Sequence, residues 1–345
     1  MTDQNIFSTE GTQSAKRLSR RDFLRIVACA GIATWVGKAG LENLEAERVV
    51  RQSQALMGTV VNLTVIASDR RSAAAAEVAV DACLERMAEL EAILSRFQES
   101  SQVSILNRDG RLKTPHPALL EVIRQAQQIS ELSSGLFDIT ILPLLALYQK
   151  CHAAGGGLPT ESEIEAACRK VDYRKVTMDE NGLSLAETGM GITLDGIAKG
   201  YIVDQGVGRL VERGFGNVLV EAGGDLVAGG RQSFDRGWEI GVQSPRQMGE
   251  QLITRLDVCN EAIATSGDYM QPFTIDFAQH HILNPKTGRS SPALASATVI
   301  APRLALADAI ATALMVMEPP KGLELVRELG LRALLVTKDM TLLRA

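Results

Sequence analysis

The chain contains 345 residues, of which 46% are hydrophobic and 22% are charged. A chain of this length and composition can bury a large core in one or two domains. The formal net charge is -5, and lysine and arginine are scattered among acidic residues. Because they form no basic patch, nucleic-acid binding is excluded as a function class.

Residues 1–39 differ from the rest of the chain in composition. A polar stretch leads to Arg20-Arg21-Asp22-Phe23-Leu24, and the uncharged run from Ile26 to Val36 follows. This order predicts a signal peptide for the twin-arginine translocase, with Gly37-Lys38-Ala39 as a cleavage site. The run is much shorter than the roughly 20 residues that span a bilayer. We therefore expect residues 40–345 to form a single periplasmic domain; a basic tail without an export function is the alternative.

The cysteines of the mature chain are too widely spaced for a zinc site or a disulfide framework. They are Cys83, Cys151, Cys168 and Cys259. We expect buried thiols, which suit a protein that folds in the cytoplasm before export.

The mature chain is predicted to begin with a strand over 55–66, with Met57-Gly58-Thr59 at its start. A long amphipathic helix over 72–97 follows, because Ala79, Cys83 and Met87 recur at helical spacing. A second helix is expected over 117–132. The later elements are a helix over 161–168, a hairpin around Asn181-Gly182, a helix over 197–212, strands over 217–221 and 298–301, helices over 306–317 and 320–329, and a strand over 332–337. This mixture of strand runs and long helices predicts an α+β fold.

Two segments in the middle of the chain combine glycine with polar residues. The segment from Ser134 to Thr140 places a carboxylate and a hydroxyl in a glycine-bounded turn. The segment from Thr193 to Tyr201 is a glycine-flanked entry into a helix, with Lys199 in its first turn. Helix N-termini favour anions, so a phosphate is physically natural there. A helix cap with a solvated lysine is the alternative.

Two further segments lie between the later strands. Thr265 to Tyr269 places hydroxyls and a carboxylate at a turn, and His280 to Arg289 ends a strand in a turn that contains Asn284-Pro285. A plain β-turn with a buried histidine is the alternative for the second segment.

Asp308 and Thr312 are four residues apart on a predicted helix. This spacing directs a carboxylate and a hydroxyl to one face, where both can bind a hard cation such as Mg²⁺. The alternative is a helix-capping Asp308 and a Thr312 that bonds back to its own helix.

In their order along the chain, these segments resemble the successive motifs of the FAD:protein FMN transferases, the ApbE-like flavin transferases. The similarity extends from about Met57 to Met317. The matching motifs are Ser95-Arg96-Phe97 with Ser101 and Leu106-Asn107, Gly135-x-Phe137-Asp138-x-Thr140, Gly196-Ile197-Ala198-Lys199-Gly200-Tyr201, Gly223-Gly224-Asp225, Thr265-Ser266-Gly267-Asp268-Tyr269, His281-Ile282-Leu283-Asn284-Pro285-x-Thr287-Gly288 and Ala307-Asp308-x-x-x-Thr312.

The resemblance implies an α+β body with a smaller lobe and FAD in the cleft between them. The residues that it assigns to FAD are Met57, Phe97, Leu136, Phe137, Asp138, Thr193, Lys199 and Ile282. It assigns Mg²⁺ to the Gly196 carbonyl, Asp308 and Thr312. Many relatives carry an aspartate at position 193 and a small residue at position 195, so the role of Asp195 is open.

The implied activity is a Mg²⁺-dependent transfer of FMN from FAD, the substrate, to a threonine or serine hydroxyl of a partner protein, with release of AMP. Lys199 would stabilise phosphate charge and His281 would act as the base, with Asp268 as the competing carboxylate. The acceptors of such enzymes are flavoproteins of membrane electron-transfer systems, such as those of nitrous-oxide reduction or sodium pumping. A Mg²⁺-dependent FAD pyrophosphate hydrolase and a non-catalytic flavin carrier are the alternatives, and the Asp308 and Thr312 pair disfavours the carrier.

Overall fold

The computed structural model describes residues 48–155, 157–233, 235–246 and 251–345. The predicted export signal, its cleavage site and the proposed start of the mature domain lie outside the described residues. None of the helices in the described ranges is both long and apolar enough to cross a membrane.

Strands and helices are mixed along the chain. The strands are β1 (Arg48–Leu56), β2 (Thr59–Ala67), β3 (Arg111–Leu112), β4 (Val176–Asp179), β5 (Gly182–Leu185), β6 (Val218–Ala222), β7 (Asp225–Gly229), β8 (Trp238–Gln243), β9 (Leu252–Val258), β10 (Glu261–Gly267), β11 (Leu294–Ala301), β12 (Arg332–Thr337) and β13 (Leu342–Arg344). The helices are α1 (Arg70–Leu94), α2 (Gln102–Asp109), α3 (Pro117–Leu132), α4 (Leu142–Ala153), α5 (Glu161–Cys168), α6 (Ala198–Glu212), α7 (Leu304–Leu314) and α8 (Pro319–Glu328).

An eight-stranded sheet in the order β1-β2-β6-β7-β10-β11-β12-β13 forms the centre of the molecule. Every neighbouring pair in it is antiparallel. Every residue of β6 and of β11 is buried, because helices cover one face of the sheet and the β8–β9 hairpin packs against the other. The predicted α+β class is therefore confirmed.

The first predicted strand is in fact two strands joined by a tight turn. Met57 and Gly58 both have positive φ angles, 53° and 70°. A two-residue hairpin turn needs this conformation at both central positions, because it matches the twist of the flanking strands. Met57 therefore lies at the turn between β1 and β2 rather than at the start of a strand.

A smaller hydrophobic core lies between α4 and α5 and is separate from the main core. Its members include Leu144, Tyr148 and Ile164, which pack with Phe273 and Leu283 from the segment around His281. The segment that carries His281 is thus supported by these two helices.

The cysteine prediction holds only for Cys83, which is fully buried; Cys151, Cys168 and Cys259 are half-buried. All four thiols are free. Burial raises the pKa of Cys83 to about 12, so this thiol is inert at neutral pH.

Candidate active site

The helix pair α6 and α7 meets at an unusually close contact near Gly200. A β-carbon at position 200 would lie 2.5 Å from the Leu304 carbonyl oxygen, so only glycine fits without a shift. Asp204 in α6 caps α7: its two carboxylate oxygens accept hydrogen bonds from the amides of Leu304 and Ala305 at 2.9 and 3.0 Å. These two features fix the start of α7 and thereby the position of Asp308, one turn further along.

Asp308 is not the cap of α7, because the helix begins at Leu304 and Asp308 lies inside it. Its Oδ2 accepts a hydrogen bond from the amide of Gly200, at 3.2 Å, in the neighbouring helix. Asp308 thus satisfies a first-turn amide of α6, as Asp204 does for α7, so the capping alternative fails for its own helix and holds for the neighbouring one. The alternative for Thr312 is confirmed, since its hydroxyl donates to the Asp308 carbonyl oxygen at 3.1 Å.

The structure brings the three predicted magnesium ligands together. A β-carbon on Gly196 would lie only 3.0 Å from Thr312 Oγ1, so the helix-entry segment lies directly against α7. Ser266 Oγ at the end of β10 lies 3.2 Å from the same hydroxyl. A carboxylate, a hydroxyl and a backbone carbonyl are oxygen ligands that suit Mg²⁺.

Asp308 is buried, with 5% of its surface exposed. Burial raises the pKa of Asp308 to about 7 against the opposing charge of Lys199, and the carboxylates of Asp225 and Asp195 add to the rise. The second oxygen of Asp308, Oδ1, makes no hydrogen bond within the described part of the chain. The carboxylate is thus short of positive partners.

Lys199 does not supply the missing charge alone, because its ammonium already forms an ion pair with Asp225. Asp225 in turn accepts a hydrogen bond from the Thr265 amide at 2.9 Å. Burial lowers the pKa of Lys199, but Asp225 and Asp308 outweigh it and raise the pKa above its ordinary value. Lys199 is therefore protonated at neutral pH.

Glu221 completes a group that we call the carboxylate cluster: Glu221, Asp225 and Asp308 around Lys199. Burial raises the pKa of Glu221, although hydrogen bonds from the Gly224 amide and the Asn62 side chain oppose the rise. The cluster holds three acidic groups and one ammonium. Within the described ranges no three His, Cys, Asp or Glu side chains are arranged as a metal site. A cation here would therefore depend on the Gly196 carbonyl and the Thr312 hydroxyl as well as on Asp308.

The apolar residues assigned to FAD differ in their exposure. Phe137 and Ile282 are buried, with 5% and 7% of their surfaces exposed, and Leu136 is half-buried against the same core. The Phe137 ring also contacts the helix-entry segment: a β-carbon at Gly196 would lie 3.3 Å from Phe137 Cε2. Phe97 differs, since 73% of it is exposed.

Asp138 holds its own turn together. Its Oδ1 accepts hydrogen bonds from the amide and the hydroxyl of Thr140 at 2.8 and 2.6 Å, and its Oδ2 accepts one from the Tyr173 amide at 2.9 Å. Burial raises the pKa of Asp138, while these hydrogen bonds oppose the rise. The predicted contact of Asp138 with FAD stays a prediction, and a structural role of its carboxylate is evident.

Thr193 is buried, and its hydroxyl accepts a hydrogen bond from the Asp195 amide at 3.2 Å. The Asp195 carboxylate turns away and binds Arg96 Nε at 2.8 Å. Arg96 lies in one of the matching motifs but had no predicted role, because its partner Asp195 is 99 positions away in the sequence.

His281 is half-buried, and its Nδ1 is buried without a hydrogen-bond partner within the described part of the chain. Burial lowers the pKa of His281 to about 4, against the opposing charges of Asp195 and Asp268. The neighbouring His280 is fully buried, and burial lowers its pKa to about 3. Both imidazoles are thus neutral at pH 7, which is the state in which a histidine accepts a proton.

Asp268, the competing base, is fully buried and its oxygens are occupied. Arg246 donates to both of them at 2.7 and 2.8 Å, and Lys338 Nζ donates to Oδ2 at 2.6 Å. Both oxygens of Asp268 are thus already engaged by cationic donors. The structure therefore favours His281 over Asp268 for that role.

Known proteins share this architecture. The ApbE family profile matches residues 57–335. The FAD:protein FMN transferase of Salmonella typhimurium is 28% identical over 299 residues, which cover 82% of this chain and 83% of the relative. The crystal structure of the ApbE protein from Thermotoga maritima has a TM-score of 0.77 and 30% identity, and covers 86% of this chain and 97% of that one. The flavin transferase ApbE from Vibrio cholerae has a TM-score of 0.72 and 26% identity, over 87% of this chain and 97% of that one.

The antiparallel sheet, its flanking helices and the contact between α6 and α7 thus define an α+β protein of the flavin transferase type. The chain belongs to the ApbE family. The resemblance drawn from the motifs is confirmed, and so is the predicted enzyme class, since the matched curated relatives are transferases.

Proposed function

We propose that this protein transfers FMN from FAD to a threonine or serine hydroxyl of a partner protein, releases AMP, and requires Mg²⁺. The observation that carries the proposal is the buried Asp308, which among the residues that the structure describes has no ion-pair partner of its own and lies beside Thr312 and Gly196 in a member of the ApbE family. A site of this charge and composition suits a divalent cation together with an anionic substrate.

The Gly196 carbonyl, the Asp308 carboxylate and the Thr312 hydroxyl would hold the ion. The ligand set fits, because all three are oxygen donors and the cluster has more acidic than basic groups. When bound, Mg²⁺ would neutralise charge on the pyrophosphate of FAD.

The chain's own residues have separate tasks in the transfer. The acceptor hydroxyl attacks the phosphorus on the FMN side of the pyrophosphate, the bond from that phosphorus to the bridging oxygen breaks, and AMP leaves with that oxygen. The neutral His281 takes the hydroxyl proton. Lys199, fixed by Asp225, places a permanent positive charge near the phosphates.

The test is an incubation of the protein with FAD, Mg²⁺ and a candidate acceptor, followed by mass spectrometry of the acceptor and measurement of AMP. The expected result is an acceptor that gains the mass of the whole FMN moiety, attached through its phosphoryl group, with one AMP released per addition. AMP release without mass addition would replace the transferase by a hydrolase. If FAD binds but neither AMP nor a modified acceptor forms, the protein is a flavin carrier instead.

The place of action and the acceptor belong to the same proposal. Twin-arginine export would deliver the folded enzyme to the periplasm, where flavoproteins of membrane electron-transfer systems present their domains. Replacing Arg20 and Arg21 together by lysine should trap folded protein in the cytoplasm, because the pair is an address read by the translocase. Fractionation of cells checks this, and normal periplasmic accumulation of the variant would refute the export proposal.

A further inference from the structure

Three residues from two distant segments form what we call the arginine cluster: Arg96, Phe97 and Asp195. Arg96 follows the C-terminus of α1, and Asp195 lies in the segment that enters α6. Arg96 Nε donates to Asp195 Oδ2 at 2.8 Å, and the Arg96 guanidinium carbon lies 4.1 Å from the centre of the Phe97 ring. The guanidinium is thus held in one plane by an ion pair at its edge and an aromatic ring on its face.

Most of the hydrogen-bonding capacity of Arg96 is unused. Its side chain is only 14% exposed, yet within the described part of the chain Nη1 and Nη2 have no partner. A guanidinium carries five N–H donors, and the four of Nη1 and Nη2 are left for a ligand. Four donors in a fixed plane match the oxygens of a phosphate group.

The arginine cluster lies next to the proposed active site. Asp195 immediately precedes Gly196, the residue in contact with Thr312. A ligand bound at Asp308 would therefore lie near Arg96.

We propose that Arg96 binds a phosphate of the dinucleotide through Nη1 and Nη2, and that Asp195 is a positioning residue that orients the guanidinium for this contact. This inference rests on the proposed FAD site. It explains why a carboxylate at position 195 is compatible with an anionic substrate: Arg96 neutralises Asp195 and has donors left for the phosphate.

The test compares ligands with and without phosphates on the mature protein in the presence of Mg²⁺. FAD and riboflavin are titrated against the wild type and Arg96→Met, with binding followed by flavin fluorescence. We expect Arg96→Met to weaken FAD binding roughly 10- to 100-fold, the range for a charge-assisted hydrogen bond pair. Riboflavin affinity should stay unchanged.

The matched control is Arg86→Met in the same segment of chain, because Arg86 in α1 pairs with Glu89 at 3.1 Å on the surface. This variant should bind FAD like the wild type. Should Arg96→Met fail to fold, Arg96→Lys keeps the charge but lacks the planar donors, and it should weaken FAD binding about 10-fold.

Asp195→Asn tests the positioning role. It should raise the KM for FAD several-fold with little change in kcat, and Asp195→Glu should restore part of the loss. Unchanged FAD affinity in Arg96→Met, or an equal loss for riboflavin and FAD, would overturn the inference. Failure of the wild type to bind FAD would instead refute the proposed function, so the two failures are distinguishable.

Discussion

Two buried aspartates in this protein have opposite electrostatic surroundings. Asp268 is fully buried and bound by two cations, Arg246 and Lys338. Asp308 is almost as deeply buried, but within the described ranges its carboxylate accepts a hydrogen bond only from the backbone amide of Gly200, and the nearby Lys199 is already paired with Asp225. A buried carboxylate with full compensation serves the fold, whereas one without it is costly unless a ligand supplies the charge.

Asp268, Arg246 and Lys338 form what we call the compensated cluster. This cluster holds the hairpin that leads to His281. Lys338 Nζ donates to the Phe277 carbonyl oxygen at 2.6 Å, and the Arg246 guanidinium carbon lies 4.6 Å from the Phe277 ring. Phe277 itself has a positive φ of 59°, an unusual conformation for a bulky residue, which these contacts stabilise. Asp268 therefore fixes the hairpin, whereas the role proposed for Asp308 is to bind a cation.

The largest expected effect separates the two aspartates by activity. Asp308→Asn should reduce FMN transfer to background at any Mg²⁺ concentration, because the only acidic ligand is lost. Its melting temperature should stay equal or rise, because burial disfavours the charged carboxylate more than Lys199 and the Gly200 amide favour it. Transfer assays and thermal unfolding measure both. If the variant transfers FMN at the wild-type rate, Asp308 is not the metal ligand that we propose, and the two aspartates do not differ in function.

The second expected effect concerns His281, the proposed proton acceptor, which lies at the hairpin that the compensated cluster holds. His281→Asn should lower the transfer rate roughly 10²–10⁴-fold with little change in FAD affinity, because the interaction matters mainly in the transition state. Single-turnover rates at saturating FAD measure this. Recovery of the wild-type rate at high FAD would reduce His281 to a residue that shapes the turn.

The third expected effect separates the aspartates by stability. Asp268→Asn should lower the free energy of unfolding by about 3 kcal/mol, since two half-buried cations lose their buried counter-charge. Denaturant unfolding measures the change, with Asp308→Asn as the matched comparison that removes a carboxylate of similar burial. Equal stabilities of the two variants would contradict the assignment of Asp268 to the fold.

The elements with clear end signals could be predicted from the sequence. The α3 and α5 helices have the predicted bounds, because Pro117 lies in the first turn of one and a Thr160–Glu163 capping box begins the other. The α2 helix was missed, although Ser101 caps its start and Gly110 ends it with a φ of 69°. The α4 helix was missed because a short apolar run gives no clear period.

The candidate site shows the same division. The spacing of Asp308 and Thr312 was visible, because both lie on one helix. Three features were not: the cap that Asp204 places on α7, the ion pair of Lys199 with Asp225 and that of Arg96 with Asp195. Each joins residues that are distant in sequence, and only the folded chain brings them together. Charge compensation therefore could not be judged from local motifs.

The smallest expected effect is on the pH dependence of stability. The pKa of His281 is about 4 in the folded protein, against an ordinary value near 6.5. Below pH 6.5 the unfolded chain therefore binds a proton at this site that the folded chain does not, and stability falls as the pH falls toward 4. Between pH 6.5 and 4.5, this difference in proton binding at His281 should lower the free energy of unfolding by about 2 kcal/mol.

Comparison of the wild type with His281→Asn isolates this contribution. Asp308, whose pKa is raised, gains stability as the pH falls, and His280 loses it, but both contributions are present in both proteins. The wild type should therefore lose about 2 kcal/mol more than the variant between pH 6.5 and 4.5, measured by urea unfolding at each pH. Parallel pH profiles would mean that His281 is solvated in the folded protein and titrates near 6.5. In that case burial would not set the protonation state of His281 at pH 7. The base role of His281 would then require a hairpin more open than the one that Asp268 holds in this structure.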